Sequence, residues 1–139
     1  MTNAQFDFAG LARRYAEAWS SGDPQAVADF YAEDGRITIN GGNPHVGRKA
    51  IAAMAQAFHD EFPGLVVHCD LSRVAGEHAA FVWTLEGKHA ETGNLVKCGG
   101  WEEWDLDATG KVKVSLGWFD AEDYARQIAG AANQKKTTS

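Results

Sequence analysis

The chain has 139 residues, the length of one domain, and a 45% hydrophobic, 23% charged composition ordinary for a globular protein. Its formal net charge of −6 repels phosphate backbones, so nucleic acid is not an expected partner. No apolar run approaches the ~20 residues of a membrane span, and the N-terminus lacks the basic start and apolar core of a signal peptide. No membrane partner and a cytoplasmic location are therefore expected.

Five Trp, seven Phe and three Tyr predict an aromatic core or pocket. Cys69 and Cys98 lie in apolar, strand-like stretches and read as reduced packing residues. There is no C-x-x-C, no H-E-x-x-H and no glycine-rich phosphate loop. Neither a metal nor an organic cofactor is expected. A single domain is expected over 6–130, with 1–5 and 131–139 as flexible tails.

Phe8, Leu11, Ala12, Tyr15 and Trp19 recur at helical spacing and predict a first helix, ended by Ser21-Gly22. Asp23-Pro24 opens a second, with Asp as N-cap and Pro at the first helical position. Val27, Phe30 and Tyr31 are its expected buried side. Asp34-Gly35 then turns the chain into a short strand, 36–40. A third helix follows over 47–61, with Ile51, Met54, Ala55, Phe58 and Phe62 as its apolar stripe and Pro63-Gly64 as its stop.

From there the period changes to two. Residues 65–74, 79–88, 97–106 and 111–119 read as four long strands separated by turns. Asp120 caps a short final helix with acidic residues in its first turn. Helices first and an antiparallel meander afterwards is an α+β pattern.

Strand parity sorts the side chains by face. Phe81, Trp83 and Leu85 form one set, as do Cys98, Gly100, Glu102, Trp104 and Leu106. Val112, Val114, Leu116 and Trp118 form a third. These sets are expected to pack on the helices, which puts the carboxylate of Glu102 among apolar neighbours. Desolvation there would raise its pKa and suit it to proton transfer; a strand-end position reaching solvent is the alternative. Trp101 falls on the opposite face. An outward Trp on a broad sheet implies a covered surface, and a homodimer is the simplest cover.

Two stretches, Tyr15-Ala-Glu-Ala-Trp-Ser-Ser-Gly-Asp23 and Phe30-Tyr-Ala-Glu-Asp-Gly35, resemble the opening of SnoaL-like and ketosteroid-isomerase-like proteins, as does Gly47-Arg-Lys-Ala-Ile51. Ala80-Phe-Val-Trp-Thr-Leu-Glu-Gly-Lys-His89 and the segment from Gly110 to Asp120 agree. The resemblance implies a cone-shaped, nuclear-transport-factor-2-like fold. Three N-terminal helices would pack on a curved antiparallel sheet, with a short C-terminal helix. It also implies a small-molecule pocket, and a cofactor-independent isomerase, cyclase or lyase or else a non-catalytic binding domain. Tyr15 matches the isomerase's oxyanion-hole tyrosine and Glu102 its protonated acidic partner, an arrangement in which an apolar site keeps a carboxylic acid neutral so that it can donate a hydrogen bond. The isomerase's base would fall at Ile39-Asn40, where neither residue can take a proton from carbon. The cyclases' late acidic residue corresponds to Asp120, while their His-Trp pair is replaced by Ser115-Leu116.

The candidate catalytic residues are therefore Tyr15, Glu102, Asp120 and His89. Trp19, Asn40, Met54, Phe58, Trp83, Trp104 and Trp118 are the expected pocket, and an apolar ring ketone or other small apolar or aromatic molecule the expected ligand. Each carries a plainer reading: Tyr15 as packing, Asp120 as helix cap, His89 as a rim histidine. His59 and His78 read as solvent-facing, and His68 has the polar parity of its strand, away from His89.

Overall fold

The structure is a computed structural model that describes residues 7–130, so the expected tails lie outside the described residues. Four helices lie with one curved, open six-stranded sheet, the α+β architecture expected from the sequence. Helix α1 (Phe8–Ser20) opens on Asp7, whose side chain accepts from the Gly10 amide at 2.9 Å. Phe8, Ala12, Tyr15 and Trp19 repeat every three or four residues and are buried together. Helix α2 (Pro24–Ala28) is capped by Asp23.

Tyr31 does not extend α2 but opens strand β1 (Tyr31–Ile39), five residues before the expected start. The cause is a parallel partner. Strand β6 (Val112–Phe119) pairs Val112 with Tyr31 and bonds its amide to the Phe30 carbonyl at 3.0 Å. The register then shifts between Tyr31 and Arg36. Asp34-Gly35 thus belongs to an irregularity within a strand, not to a turn that precedes one. The short strand β2 (His45–Val46) pairs antiparallel with β1.

Helix α3 (Arg48–Glu61) buries Ile51, Met54, Ala55 and His59. His59 is 8% exposed, not solvent-facing as its polarity suggested. It follows Ile51 and Ala55 at four-residue steps, and its Nε2 lies 2.8 Å from the Trp19 carbonyl near the end of α1. A helix's last carbonyls have no intrahelical donor, so a buried imidazole N–H satisfies one.

Strands β3 (Val66–Ala75), β4 (His78–Lys88) and β5 (Leu95–Leu106) complete the sheet in the order β2-β1-β6-β5-β4-β3. Only the β1–β6 pair is parallel. Helix α1 packs along β3, and α4 (Ala121–Ala129) against β5.

One bulge decides which residues of β6 face the helices. Leu106 pairs with Val112 but Asp105 pairs with Val114, so Lys113 is extra. Beyond it the parity of β6 is inverted relative to Val112. Ser115 and Gly117 are buried, whereas Leu116 is exposed and Trp118 lies opposite outward-facing Trp101. The expected set of Val112, Val114, Leu116 and Trp118 is split, because the bulge reverses parity after Lys113; Trp118, near the end of β6, still borders the cavity beside Glu102.

Candidate functional site

Alternation in β5 is unbroken from Val96 to Leu106, and that regularity carries Glu102 to the inner face. It is 6% exposed. Its direct cross-strand neighbours are Phe81 on β4 and Gly117 on β6.

Four donors from three further elements and from β5 itself converge on it. The Trp104 indole Nε1 and the Ser115 hydroxyl each donate to Oε1 at 2.8 Å. The Tyr15 hydroxyl lies 3.1 Å and the Tyr31 hydroxyl 3.3 Å from the same oxygen. Oε2, by contrast, has only the Tyr15 hydroxyl, at 3.3 Å. The two tyrosine hydroxyls are 2.9 Å apart. All four donor residues are buried, and Tyr15 packs edge-on against Trp104 and Phe81.

Burial raises the Glu102 pKa above the ordinary carboxylate value, and the donors offset part of that rise. Burial, followed by the charge on Glu102, also raises Tyr15 and Tyr31, which therefore stay protonated donors.

Beside Glu102 is a cavity of about 60 Å³. Ligand pockets are commonly ~300–1,000 Å³, while one water needs ~10–15 Å³ measured this way; this cavity therefore suits a compact molecule or fragment. Of the expected pocket residues, Trp19, Met54, Phe58, Trp83 and Trp118 line it. Trp104 does not; it supports Glu102 from the core side. Asn40 does not either. It adopts φ 52°, donates its amide to the Gly117 carbonyl at 2.8 Å and accepts from the Phe119 amide at 2.9 Å, tying β1 to β6. Ile37, Ile39, Phe81, Phe119 and Tyr124 are lining residues beyond that set.

The structure joins Tyr15 to Glu102 but not to Asp120 or His89. Asp120 caps α4, accepting from the Asp123 amide at 3.1 Å, and is exposed. His89 is buried just past β4, with Nδ1 3.2 Å from Thr92 Oγ1 and Nε2 3.4 Å from Glu61 Oε2. Neither lines the cavity. His68 is paired with Glu86 at 2.8 Å. Among the described residues no three His, Cys, Asp or Glu gather as a metal site. Cys69 and Cys98 are both free thiols; Cys98 lines the cavity, and burial pushes its thiol up to about 11.

Two members of the carboxyl's cage were not found from the sequence. Ser115 was hidden by the Lys113 bulge, since Lys-Val-Lys-Val-Ser reads as uninterrupted alternation. Tyr31 was hidden by the apparent continuation of α2. No local signal in either stretch marks the change.

The architecture has many counterparts. A hypothetical protein with a ketosteroid-isomerase-like fold from Catenulispora acidiphila DSM 44928, solved in complex with trimethylamine, superposes with a TM-score of 0.77 at 15% identity. That match covers 84% of this chain and 89% of the other. A candidate polyketide cyclase from Xanthomonas campestris pv. campestris gives 0.77 at 22% identity, over 86% and 95%. A candidate SnoaL-like polyketide cyclase from Jannaschia sp. CCS1 gives 0.76 at 17%, over 85% and 88%. At these identities the likeness is one of fold. No curated protein matches the chain by sequence. The family model described as a SnoaL-like domain matches residues 12–114, most of the chain, and the chain belongs to that family.

Proposed function

We propose that the cavity binds a compact carbonyl compound and that Glu102 moves a proton at the carbon beside the carbonyl, an isomerase-type reaction. The observation that carries this is the asymmetry of the carboxyl group. Oε1 is held by four donors, and Oε2 is the oxygen left for a ligand. A carboxylate whose pKa is raised by burial is a better base than an exposed one, because its basicity lies closer to neutral pH.

In this reading the C–H proton passes to Oε2 and its electron pair moves onto the carbonyl oxygen as an enolate. Where the substrate carries a C=C bond one carbon further on, the enolate extends over it and returning the proton at its far carbon completes the shift; in a saturated ketone the proton returns to the α-carbon, which is exchange. The Trp83 indole Nε1 is buried, has no hydrogen-bond partner among the described residues, and belongs to a lining residue. It is the proposed donor to the enolate oxygen. Cys98 and Tyr124, the other titratable lining residues, are kept protonated by burial, so Glu102 is the base the cavity offers. Tyr15, Tyr31, Trp104 and Ser115 are positioning residues here. The cavity volume favours a compact member of the expected ring-ketone class.

The test is deuterium exchange at the α-carbons of cyclopentanone in D2O, followed by proton NMR. Wild-type protein is expected to accelerate exchange over buffer, Glu102→Gln to lose the acceleration, and Tyr15→Phe to reduce it. Wild-type exchange no faster than buffer would end the catalytic reading.

A second reading, binding without chemistry, is favoured by the lining itself. Aromatic side chains surround the cavity with one carboxyl, the composition that recognises small alkylammonium ions by cation–π attraction. The trimethylamine held by the Catenulispora protein is of that class. Saturable shifts of the Trp83 indole resonance by trimethylammonium chloride, without ketone exchange, would select this reading.

A homodimer through the outer sheet face is proposed with either reading. Trp101, Leu71 and Leu116 are exposed there, with Trp101 44% accessible. Sedimentation of wild type as a monomer at ~100 µM, far above the working range of specific homodimers, would refute it. The cytoplasm, where thiols such as Cys69 and Cys98 stay reduced, is the proposed compartment.

A further inference from the structure

Two inward-facing glycines flank Glu102, and they are glycine for different reasons. Gly100 precedes it by two residues on the same face of β5; Gly117 is its direct partner on β6. A Cβ at Gly100 would collide with the Trp118 carbonyl oxygen and the Trp83 ring. Packing alone therefore demands glycine at 100.

Gly117 has no such demand on it. Its φ is not in the left-handed region, so the backbone does not require glycine. A Cβ there would meet Glu102 Cγ at 3.7 Å, the Thr38 carbonyl at 3.9 Å and Ile39 Cγ1 at 4.0 Å, all ordinary van der Waals contacts. Glycine in a strand interior costs stability and often marks a bulge, a tight bend, or the close approach of another backbone or a ligand; the β6 bulge lies four residues earlier, at Lys113, and the nearest backbone atom to a Cβ here is 3.9 Å away. Gly117 is buried and lines the cavity. The feature left to explain its missing side chain is the space itself.

We infer that Gly117 is the specificity-determining residue of the site: its bare backbone is the floor on which the ligand lies to reach Glu102, and it sets the largest ligand that can do so. The inference rests on the proposal that the cavity binds a compact ketone. In a cavity of about 60 Å³ one added methyl group removes a large share of the space directly across from the carboxyl. A ligand with branches next to its carbonyl is excluded first, and a smaller one last.

The experiment compares acetone and cyclopentanone binding to wild type, Gly117→Ala and Gly117→Val by NMR titration, with thermal melts of each. Gly117→Ala is expected to melt at or above the wild-type temperature, since alanine suits a strand better than glycine. It should weaken cyclopentanone at least fivefold more than acetone, and Gly117→Val should lose cyclopentanone altogether. A merely structural role would not shift the ratio between the two ketones. An unchanged ratio in Gly117→Ala, while Glu102→Gln weakens both ketones, overturns this inference and leaves the proposed function standing. Failure of wild type to bind either ketone overturns both.

Discussion

Replacing Ser115 by alanine removes one oxygen and tests both the β6 bulge and the carboxyl cage. The Ser115 side chain is fully buried and its hydroxyl donates to Glu102 Oε1 at 2.8 Å. A hydrogen bond to a charged group contributes about 1.5–3 kcal/mol net, and one to a neutral group about 0.5–1.5. In Ser115→Ala the carboxyl oxygen keeps the Trp104 indole at 2.8 Å and the two tyrosine hydroxyls, so no orphaned acceptor is left behind. The expected loss is therefore at the lower end, about 1–2 kcal/mol with Glu102 ionised. For a chain of this size that is about 3–6 °C in melting temperature. The loss shrinks in acid, where the acceptor is neutral. Urea unfolding of Ser115→Ala, Glu102→Gln and the double variant measures the coupling, expected at about 0.5 kcal/mol or more. Had β6 kept unbroken alternation, Ser115 would face solvent and its loss would cost less than about 0.5 kcal/mol. A cost that small, with no coupling to position 102, would refute both the register and the cage.

The pH dependence of stability follows from the direction of the Glu102 shift. Because its folded pKa is raised, the folded state binds more protons than the unfolded chain between the ordinary carboxylate value and the raised one. Wild-type stability relative to Glu102→Gln should therefore fall as pH rises through that window, by about 1.4 kcal/mol per unit of elevation. A difference that is flat or rises with pH contradicts the burial described. Asp120→Ala should cost about 1 kcal/mol by uncapping α4, whereas Asp120→Asn, also a good cap, should cost little. Neither should change ketone exchange, and a large loss of exchange in Asp120→Asn would make Asp120 catalytic after all.

What the sequence made legible, and what it did not, follows from how local each signal is. Helix α1 shows itself in the spacing of Phe8, Ala12, Tyr15 and Trp19, because burial on a helix has a period that composition cannot imitate. The inward position of Glu102 could be argued from alternation because β5 has no interruption. The same argument failed eleven residues later in β6, where one inserted residue, Lys113, leaves the sequence alternation intact while reversing the faces. Tyr31 and His59 were misplaced for a third reason. Each is fixed by a distant partner, Val112 for the strand that begins at Tyr31 and the Trp19 carbonyl for the imidazole of His59. Tertiary pairing of this kind overrides a short helical pattern or a polar side chain's surface preference. The small volume beside Glu102 was equally out of reach, since it depends on how several aromatic rings pack around Gly117.

The proposed catalysis depends on the protonation of one carboxyl group inside the cavity. It can be read directly from the carbon-13 resonance of the Glu102 side-chain carboxyl, assigned by its absence in Glu102→Gln and followed across pH. The account predicts a midpoint above the ~4.3 of an unperturbed glutamate. A midpoint at or below that value would mean that the four donors outweigh burial, and the carboxyl would be a structural anchor with no proton to exchange.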